Sequence, residues 1–399
     1  MKIKSSLIAI IILSLFISCN NNDINEVEKK INTSVQQMPE NMINLSDRLM
    51  FVAQTQAMND VYEAVMKSME YGLDETMYID DVSNTNKPLY KSIMSKSKVN
   101  SENSSSNFEL NIDGLEVYWP YANNWDHVSV PVVACYVSDS SYIEGDKLKA
   151  YKLIKLDDGT FQKDSILVNE AYAIENPVWV VKKASLTAED LTNIIEGKAT
   201  SMGVKYAPRK NVKFNNQSAR MKVGAATQAT QVVETKIISL QCTTQHDTWA
   251  NGGSEFRVFW FFPTSQFGLS VHKIDLVSLT RDEINKGTVR SLDFIANYDW
   301  FEGQLHNRLK VVEYDPGTDI SFEIKLSTTY KPKDEEVSYT GEFKTTIKLN
   351  NVDDEIMDET IARTAMFTTE TQVDNTTYKK SFSKAGVTIG TTCRKIEGA

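Results

Sequence analysis

Apolar positions along the chain change period as it proceeds, and each change marks an element. Leu45, Leu49, Val61, Val65 and Met69 recur at multiples of four, so "LSDRLMFVAQTQAMNDVYEAVMKSMEYGL" predicts a long helix or helical pair ending near Gly72. "SKSKVNSENSSSN" then carries almost no apolar residue and predicts a linker. From Phe108 the pattern shortens to strand-like runs, "LEVYWP" and "VPVVACYV", followed by two arms around Asp157-Asp158-Gly159, where glycine supplies the positive φ of a hairpin turn. "NPVWVV" reads as a buried strand, and "SLTAEDLTNIIEG" as a short helix capped by Ser/Thr and closed on glycine. Beyond Val232 seven candidate strands follow: "VETKIISLQC", "EFRVFWFFP", "GLSVHKIDLVSL", "RLKVVEY", "DISFEIKLSTTY", "GEFKTTIKL" and "ARTAMFTT". Turn chemistry such as Asn-Gly-Gly and Asp-Pro-Gly separates most of them, which suits an antiparallel sandwich. The expected fold class is therefore mostly β: an N-terminal helical segment (42–76), a linker (77–107), a small β module with a trailing helix (108–196), a second linker (197–231) and a C-terminal antiparallel β-sandwich (232–399).

The first forty residues follow a different logic. Lys2 and Lys4 precede an apolar run from Leu7 to Ile17 broken only by Ser14, the form of an export signal over residues 1–18. That run is about half the roughly 20 residues a helix needs to cross a bilayer. Phe16-Ile17-Ser18-Cys19 resembles a bacterial lipoprotein box, in which a small residue precedes a cysteine that is acylated and becomes the first mature residue. Phe16 stands where leucine is usual, and the looser boxes of Bacteroidetes lipoproteins, followed by a polar, acidic tether such as residues 19–41, are the most similar. The resemblance implies lipidation of Cys19, with each buried methylene contributing about 0.8 kcal/mol to anchoring. Asn20 after the cysteine implies, by the same resemblance, the outer membrane.

The formal charge is −10 and becomes more negative by two if Lys2 and Lys4 leave with the signal. An acidic chain argues against nucleic acid as partner, since phosphate binding demands a basic footprint. The exception is local: residues 198–222 hold seven Lys and Arg and no acid, which reads as a solvated linker or as a basic strip for an anionic partner. After Cys19 three cysteines remain, so one internal bridge at most is open. Cys135 lies in an apolar run and reads as a buried thiol. Cys242 and Cys393 flank the C-terminal half; if its first and last strands are neighbours, a disulfide between them would close a loop of about 150 residues and add about 4 to 5 kcal/mol.

The stretch "EVYWPYANNWDH" is the strongest candidate for ligand contact. Strand alternation would place Trp119 and Tyr121 on one face and Tyr118 on the other, with Trp125, Asp126 and His127 in the following turn. Aromatic rings beside Asn123, Asn124 and Asp126 suit the stacking and hydrogen bonding of sugars; the competing explanation is that the same rings fill the core of a small module. "FRVFWFF" is apolar on both faces and predicts a central sandwich strand. Acidic stretches at Asn350–Glu359 and Glu313–Asp319 could gather oxygens for calcium in loops, although neither matches a calcium-loop pattern, and no other cofactor is suggested. The four histidines, His127, His246, His272 and His306, have no metal spacing, and no nucleophile elbow or phosphate-cradling glycine loop occurs.

"EVYWPYANNWD" and "NEAYAIENPVWVV" look similar to segments of uncharacterised exported lipoproteins of Bacteroidetes type, in which a comparable module precedes a β-rich part. This likeness implies location and architecture and carries no activity or functional residue. The expectation is a lipid-anchored, outer-membrane cell-envelope protein with a non-enzymatic binding or scaffolding role, partnered by the membrane and by a glycan or envelope protein. A polysaccharide hydrolase, whose two carboxylates would be placed by the fold alone, is the alternative.

Overall fold

The computed structural model describes residues 38–95, 112–138, 141–143, 145–198, 232–263, 269–298, 300, 304–314, 319–330, 339–350 and 355–396. Cys19 and most of the tether, of the Ser/Asn-rich stretch and of the basic strip lie outside them. The described chain is mostly β, with helices at its N-terminal side and antiparallel sheets at its C-terminal side.

The expected helical segment is two helices, α1 (Glu40–Val52) and α2 (Ala57–Glu70). Met42, Leu45 and Leu49 on α1, and Val61, Val65 and Met69 on α2, form the buried stripes that the four-residue repeat predicts. Much of the segment expected to be a linker is ordered: β1 (Thr76–Tyr78) leads into α3 (Ile79–Thr85) and α4 (Lys87–Met94). Asn86 caps α4 by accepting a hydrogen bond from the Leu89 N–H at 3.1 Å, and Pro88 sits in its first turn, where a missing N–H has no cost.

These helices pack onto a six-stranded sheet in the order β1-β2-β6-β3-β4-β5, built with β2 (Leu115–Tyr118), β3 (Val132–Cys135), β4 (Leu148–Lys155), β5 (Phe161–Val168) and β6 (Val178–Lys183). Only β3 and β6 run parallel. The register pairs Val117 with Val181 and Tyr118 with Val180, so the two faces separate cleanly. Val117, Val133, Trp179 and Val181 meet the helices, whereas Tyr118, Val132, Ala134, Val178 and Val180 form the opposite face. The helical segment and the small β module are thus one unit, joined because neither can bury its apolar face alone. The Asp157-Asp158-Gly159 hairpin joins β4 to β5, with Gly159 at φ 82°. Two short helices, α5 (Glu170–Glu175) and α6 (Ala188–Ile195), are capped by the Asn169 and Thr187 side chains.

The C-terminal part begins with β7 (Val232–Cys242), β8 (Ser254–Pro263), β9 (Leu269–Leu279), α7 (Arg281–Asn285) and β10 (Val289–Asn297). It continues through β11 (His306–Glu313), a β12–β13 ribbon (Asp319–Tyr330, Tyr339–Asn350), β14 (Glu355–Ala362), α8 (Arg363–Met366), β15 (Thr377–Lys384) and β16 (Val387–Ile396). Two four-stranded sheets, β10-β7-β16-β15 and β14-β11-β8-β9, enclose one core that includes Ile237, Leu240, Phe256, Val258, Trp260, Leu309, Val311 and Ile389. As "FRVFWFF" predicts, β8 is an inner strand buried on both faces, with Phe259 and Phe261 stacked outside the core formed by Phe256, Val258 and Trp260.

Two expectations of local structure fail here. "ARTAMFTT" contains helix α8 rather than a strand. The acidic residues from Glu355 to Glu359 lie in β14 rather than in a loop, and Asp358 is bridged to Arg308 across the β11–β14 pair at 2.5 and 2.6 Å. Residues 315–318 and 351–354 of the two candidate calcium stretches lie outside the described residues, and among the described residues no group of three His, Cys, Asp or Glu could hold a metal ion.

The disulfide fails for a reason of register. First and last strands do pair, but Cys242 stands opposite Val387 and Cys393 opposite Thr235. The seven residues from Thr235 to Cys242 separate the thiols by about 23 Å at the rise of a strand, far beyond the ~4.4–6.8 Å Cα spacing of a disulfide. Both are free: Cys393 Sγ lies 3.4 Å from Thr235 Oγ1 with burial pushing its pKa up to about 12, and Cys242 Sγ donates to the Thr244 carbonyl at 3.0 Å. Cys135 is only partly buried, its Sγ facing the Met42 carbonyl of α1 at 3.7 Å.

Candidate functional site

Strand β2 ends at Tyr118, one residue before the first of the candidate side chains. Pro120 follows Trp119, and Tyr121 adopts the left-handed conformation at φ 61°, ψ 31°. This turn breaks the expected alternation. Trp119 packs among the helices, whereas Tyr121 swings to the opposite side of the sheet and joins Tyr118. A bulky residue at positive φ is strained, and such strain persists only where the surroundings over-determine it. Here the constraints are explicit. The Trp119 N–H donates to the Glu75 carbonyl at 2.8 Å, and the Tyr121 N–H donates to Glu75 Oε2 at 3.1 Å. Tyr121 OH donates to Glu170 Oε1 at 2.5 Å and accepts from Asn285 Nδ2 at 2.8 Å.

After a 3₁₀ turn at Ala122–Asn124 the chain returns Trp125 to Trp119, with ring centroids 5.1 Å apart. Trp179 meets Trp119 at 5.5 Å, and Tyr62 of α2 lies 5.3 Å from Trp125. His127, a second non-glycine residue at positive φ (60°), packs on Tyr62 and Trp125 at 4.9 and 4.8 Å. Trp125 Nε1 donates to the Ser129 carbonyl at 2.9 Å. Asp126 folds the next turn: Oδ1 accepts from the Val128 and Ser129 N–H groups at 2.9 and 2.7 Å, and Oδ2 accepts from Ser129 Oγ at 2.7 Å. The Ser129 bonds, with that of Val128, lower the pKa of Asp126 to about 2, so this exposed carboxylate stays charged at any physiological pH.

All four candidate residues, Trp119, Tyr121, Trp125 and Asp126, line one shallow depression of about 340 Å³, open mouth included. Its other wall is the C-terminal end of α5, from Ala173 to Pro177. Their roles differ from the expected stacking platform. Trp119, Tyr121 and Trp125 are 0%, 3% and 7% exposed, so they form the floor and hold the loop. The open surface is made instead by Ile174, Asn124, Asp126, Ser129 and Glu175, with Asn176 and Pro177 half-buried.

A second cluster, which sequence reasoning missed, lies behind this floor at the junction with the sandwich. Arg281, 2% exposed, donates through Nε to Glu170 Oε1 at 2.7 Å and through one terminal nitrogen to the carbonyls of Asp247 and Gly252 at 2.9 and 3.0 Å. Burial opposes ionisation at both ends of the pair, but the mutual bonds win, lowering the Glu170 pKa and raising that of Arg281. The Gly253 N–H donates to Asp74 Oδ2 at 2.8 Å, Trp249 Nε1 donates to the Asp146 carbonyl at 2.6 Å, and Lys182 donates to the Asn251 carbonyl. Lys182 also pairs with the buried Glu116 at 3.2 Å. A side chain at Gly253 would sit 2.0 Å from the Leu279 carbonyl oxygen, so only glycine lets the loop approach β9. Burial, largest of the causes, raises Asp247 to about 6. The Thr280–Glu283 capping box opening α7 was legible as T-x-x-E, but nothing local says that Arg281 behind it reaches Glu170.

His246 and Asp247, adjacent in "QHDTW", do not act together. His246 Nδ1 lies 3.7 Å from Glu313 inside the sandwich, whereas Asp247 faces the junction and accepts from Asn251 Nδ2 at 2.8 Å. Comparison with protein-family models, with curated proteins and with solved structures finds no match to this chain.

Proposed function

We propose that the protein is a lipid-anchored cell-envelope component with a binding rather than a catalytic role, displaying one welded two-part body. The observation that carries the binding role is the convergence of Trp119, Tyr121, Trp125 and Asp126 on a single depression, formed by a loop in which Tyr121 and the neighbouring His127 stand at positive φ. Strained, over-determined loops on a rigid scaffold are where binding sites concentrate. The anchor rests on the Phe16-Ile17-Ser18-Cys19 box, and the outer membrane is its proposed address. The buried carboxylates at the junction, Asp74, Glu75 and Glu116, are used as internal bonding partners, which favours binding over hydrolysis as the role of the body. A glycan is the partner class best suited to the mixture of apolar and amide or hydroxyl groups around the depression.

Radioactive palmitate labelling of cells tests the anchor: the wild-type protein takes up label and sediments with membranes, and Cys19→Ala does neither. Label retained by Cys19→Ala would exclude this attachment. Screening the purified protein on a glycan array tests the role, with Asn176→Trp, which fills the depression, expected to abolish capture without altering the thermal midpoint.

A further inference from the structure

The β7–β8 connection brings a carboxylate into the contact between the two halves. Trp249 and Ala250 bury against the N-terminal sheet, and charged side chains hold the loop around them. Arg281 of α7 donates to the carbonyls of Asp247 and Gly252, Lys182 of β6 donates to that of Asn251, and Asp74, from the segment before β1, accepts from the Gly253 N–H. The fit is close: a Cβ on Gly252 would sit 2.7 Å from Asp74 Oδ2 and 4.0 Å from Lys182 Nζ. Both cations are committed to other carboxylates, Lys182 to Glu116 at 3.2 Å and Arg281 to Glu170 at 2.7 Å. Asp74 is 7% exposed, and its Oδ1 is buried without a hydrogen-bond partner among the described residues. Asp247 enters this surround with a bond from its own loop, accepting from Asn251 Nδ2 at 2.8 Å. Lys182, Asp74 and Arg281 are the charges that act on it. Glu75 Oε2 accepts from the Tyr121 N–H, and His246 turns to Glu313 inside the sandwich. Two carboxylates held near one another out of water cannot both ionise without cost, so one proton is retained.

We propose that this contact is a proton-dependent latch: with Asp247 protonated the β7–β8 connection stays seated on the N-terminal sheet, and loss of that proton sets Asp247 against Asp74 and loosens the loop. Arg281 and Asn285, which hold Glu170 and Tyr121, lie next along the chain from this contact, so the walls of the depression loosen with it, whatever the depression binds. The sign follows from the seated state holding the proton more tightly. Burial, and after it Asp74, raises the Asp247 pKa to about 6, against about 4 in a released loop, so seating is favoured below about pH 4 and the advantage is lost as the pH rises through about 6. Neighbouring groups act outside that window. The Glu170 pKa is lowered, so its contribution is lost only on acidification below the ordinary carboxylate range, and burial raises Tyr118 and Tyr121 further above theirs.

Hydrogen–deuterium exchange of the full-length protein between about pH 5 and pH 8, expressed as protection relative to the free peptide, reads the seating of this loop directly. Protection of the amides from Asp247 to Gly253 is expected to fall about tenfold across that range, while those of β7 and β16 hold theirs. Asp247→Asn, which keeps an acceptor for Asn251 and imitates the protonated acid, should make the loop indifferent to pH. Asp74→Asn, which keeps an acceptor for the Gly253 N–H, should leave the fall in place and move its midpoint to lower pH. Protection independent of pH in the wild type would overturn the latch, as would an equal fall in Asp247→Asn. A fall shared uniformly by the sandwich strands would mean loss of global stability instead of local release, and would overturn it too. An unmoved midpoint in Asp74→Asn would overturn the pairing of the two carboxylates, a result that can be read even if Asp247→Asn does not fold.

Discussion

The two halves of the molecule bury their cores by different means. The sandwich closes on itself: its main core draws only on residues between Val233 and Cys393, supplied by two facing sheets. The N-terminal sheet covers one face with its own helices, but on the other face Tyr118, Tyr121, Val178 and Val180 pack with Trp249 and Ala250, which belong to the β7–β8 connection of the sandwich. One half is therefore complete alone, and the other borrows. The borrowed loop also brings Arg281 and Asn285 behind it, which grip Glu170 and Tyr121 and so fix both walls of the candidate site. Domain docking and site geometry are consequently one problem in this protein.

Trp249→Ala should break the asymmetry most strongly. Removing a buried tryptophan costs about 3–5 kcal/mol, and here the cost falls on the N-terminal half. Urea unfolding followed by tryptophan fluorescence, which weights Trp119, Trp125 and Trp179, should split into two transitions, with that of the sandwich unmoved. A single transition shifted as a whole would mean that the sandwich depends on its neighbour too.

A smaller effect should appear as a pH slope. Asp247 is raised to about 6 by burial at the junction, so the folded state holds its proton more tightly than the unfolded chain. Its stabilising contribution is full below the ordinary carboxylate pKa of about 4 and is lost as the pH rises through about 6. His272, whose pKa burial lowers, gives the opposite slope in part of this window, so the comparison must be with Asp247→Asn. The wild type should lose stability between about pH 5 and pH 7 relative to that variant; parallel pH profiles would remove Asp247 from the docking energetics.

The smallest expected effect is at Lys163→Ala. Lys163 bridges β5 to Asp47 of α1 at 2.6 Å, but both side chains are about 40% exposed, which places the pair within the ~0.2–1 kcal/mol of surface bridges. A loss above about 2 kcal/mol in thermal unfolding would mean that the helices are held to the sheet by this edge rather than by their buried stripes.

The local parts of this architecture were written in the sequence. The four-residue repeat of Leu45, Leu49, Val61, Val65 and Met69 fixes two amphipathic helices, Asp-Asp-Gly fixes the β4–β5 hairpin, and Thr187 and Gly197 bound α6. The candidate site was legible as a cluster of residue types, and the structure does gather Trp119, Tyr121, Trp125 and Asp126 around one depression. Their exposure was not legible, because alternation continues only while the strand does, and β2 stops at Tyr118. Nor were the separation of Cys242 from Cys393, the strand hidden in the acidic run at Glu355–Glu359, or the grip of Arg281 on Glu170, 111 positions away. Periodicity, caps and turn residues act over one or two turns of chain, so sequence states them directly. Register, the covering of a second sheet face and the pairing of buried charges depend on which distant surfaces finally meet, and only the packed tertiary structure decides that.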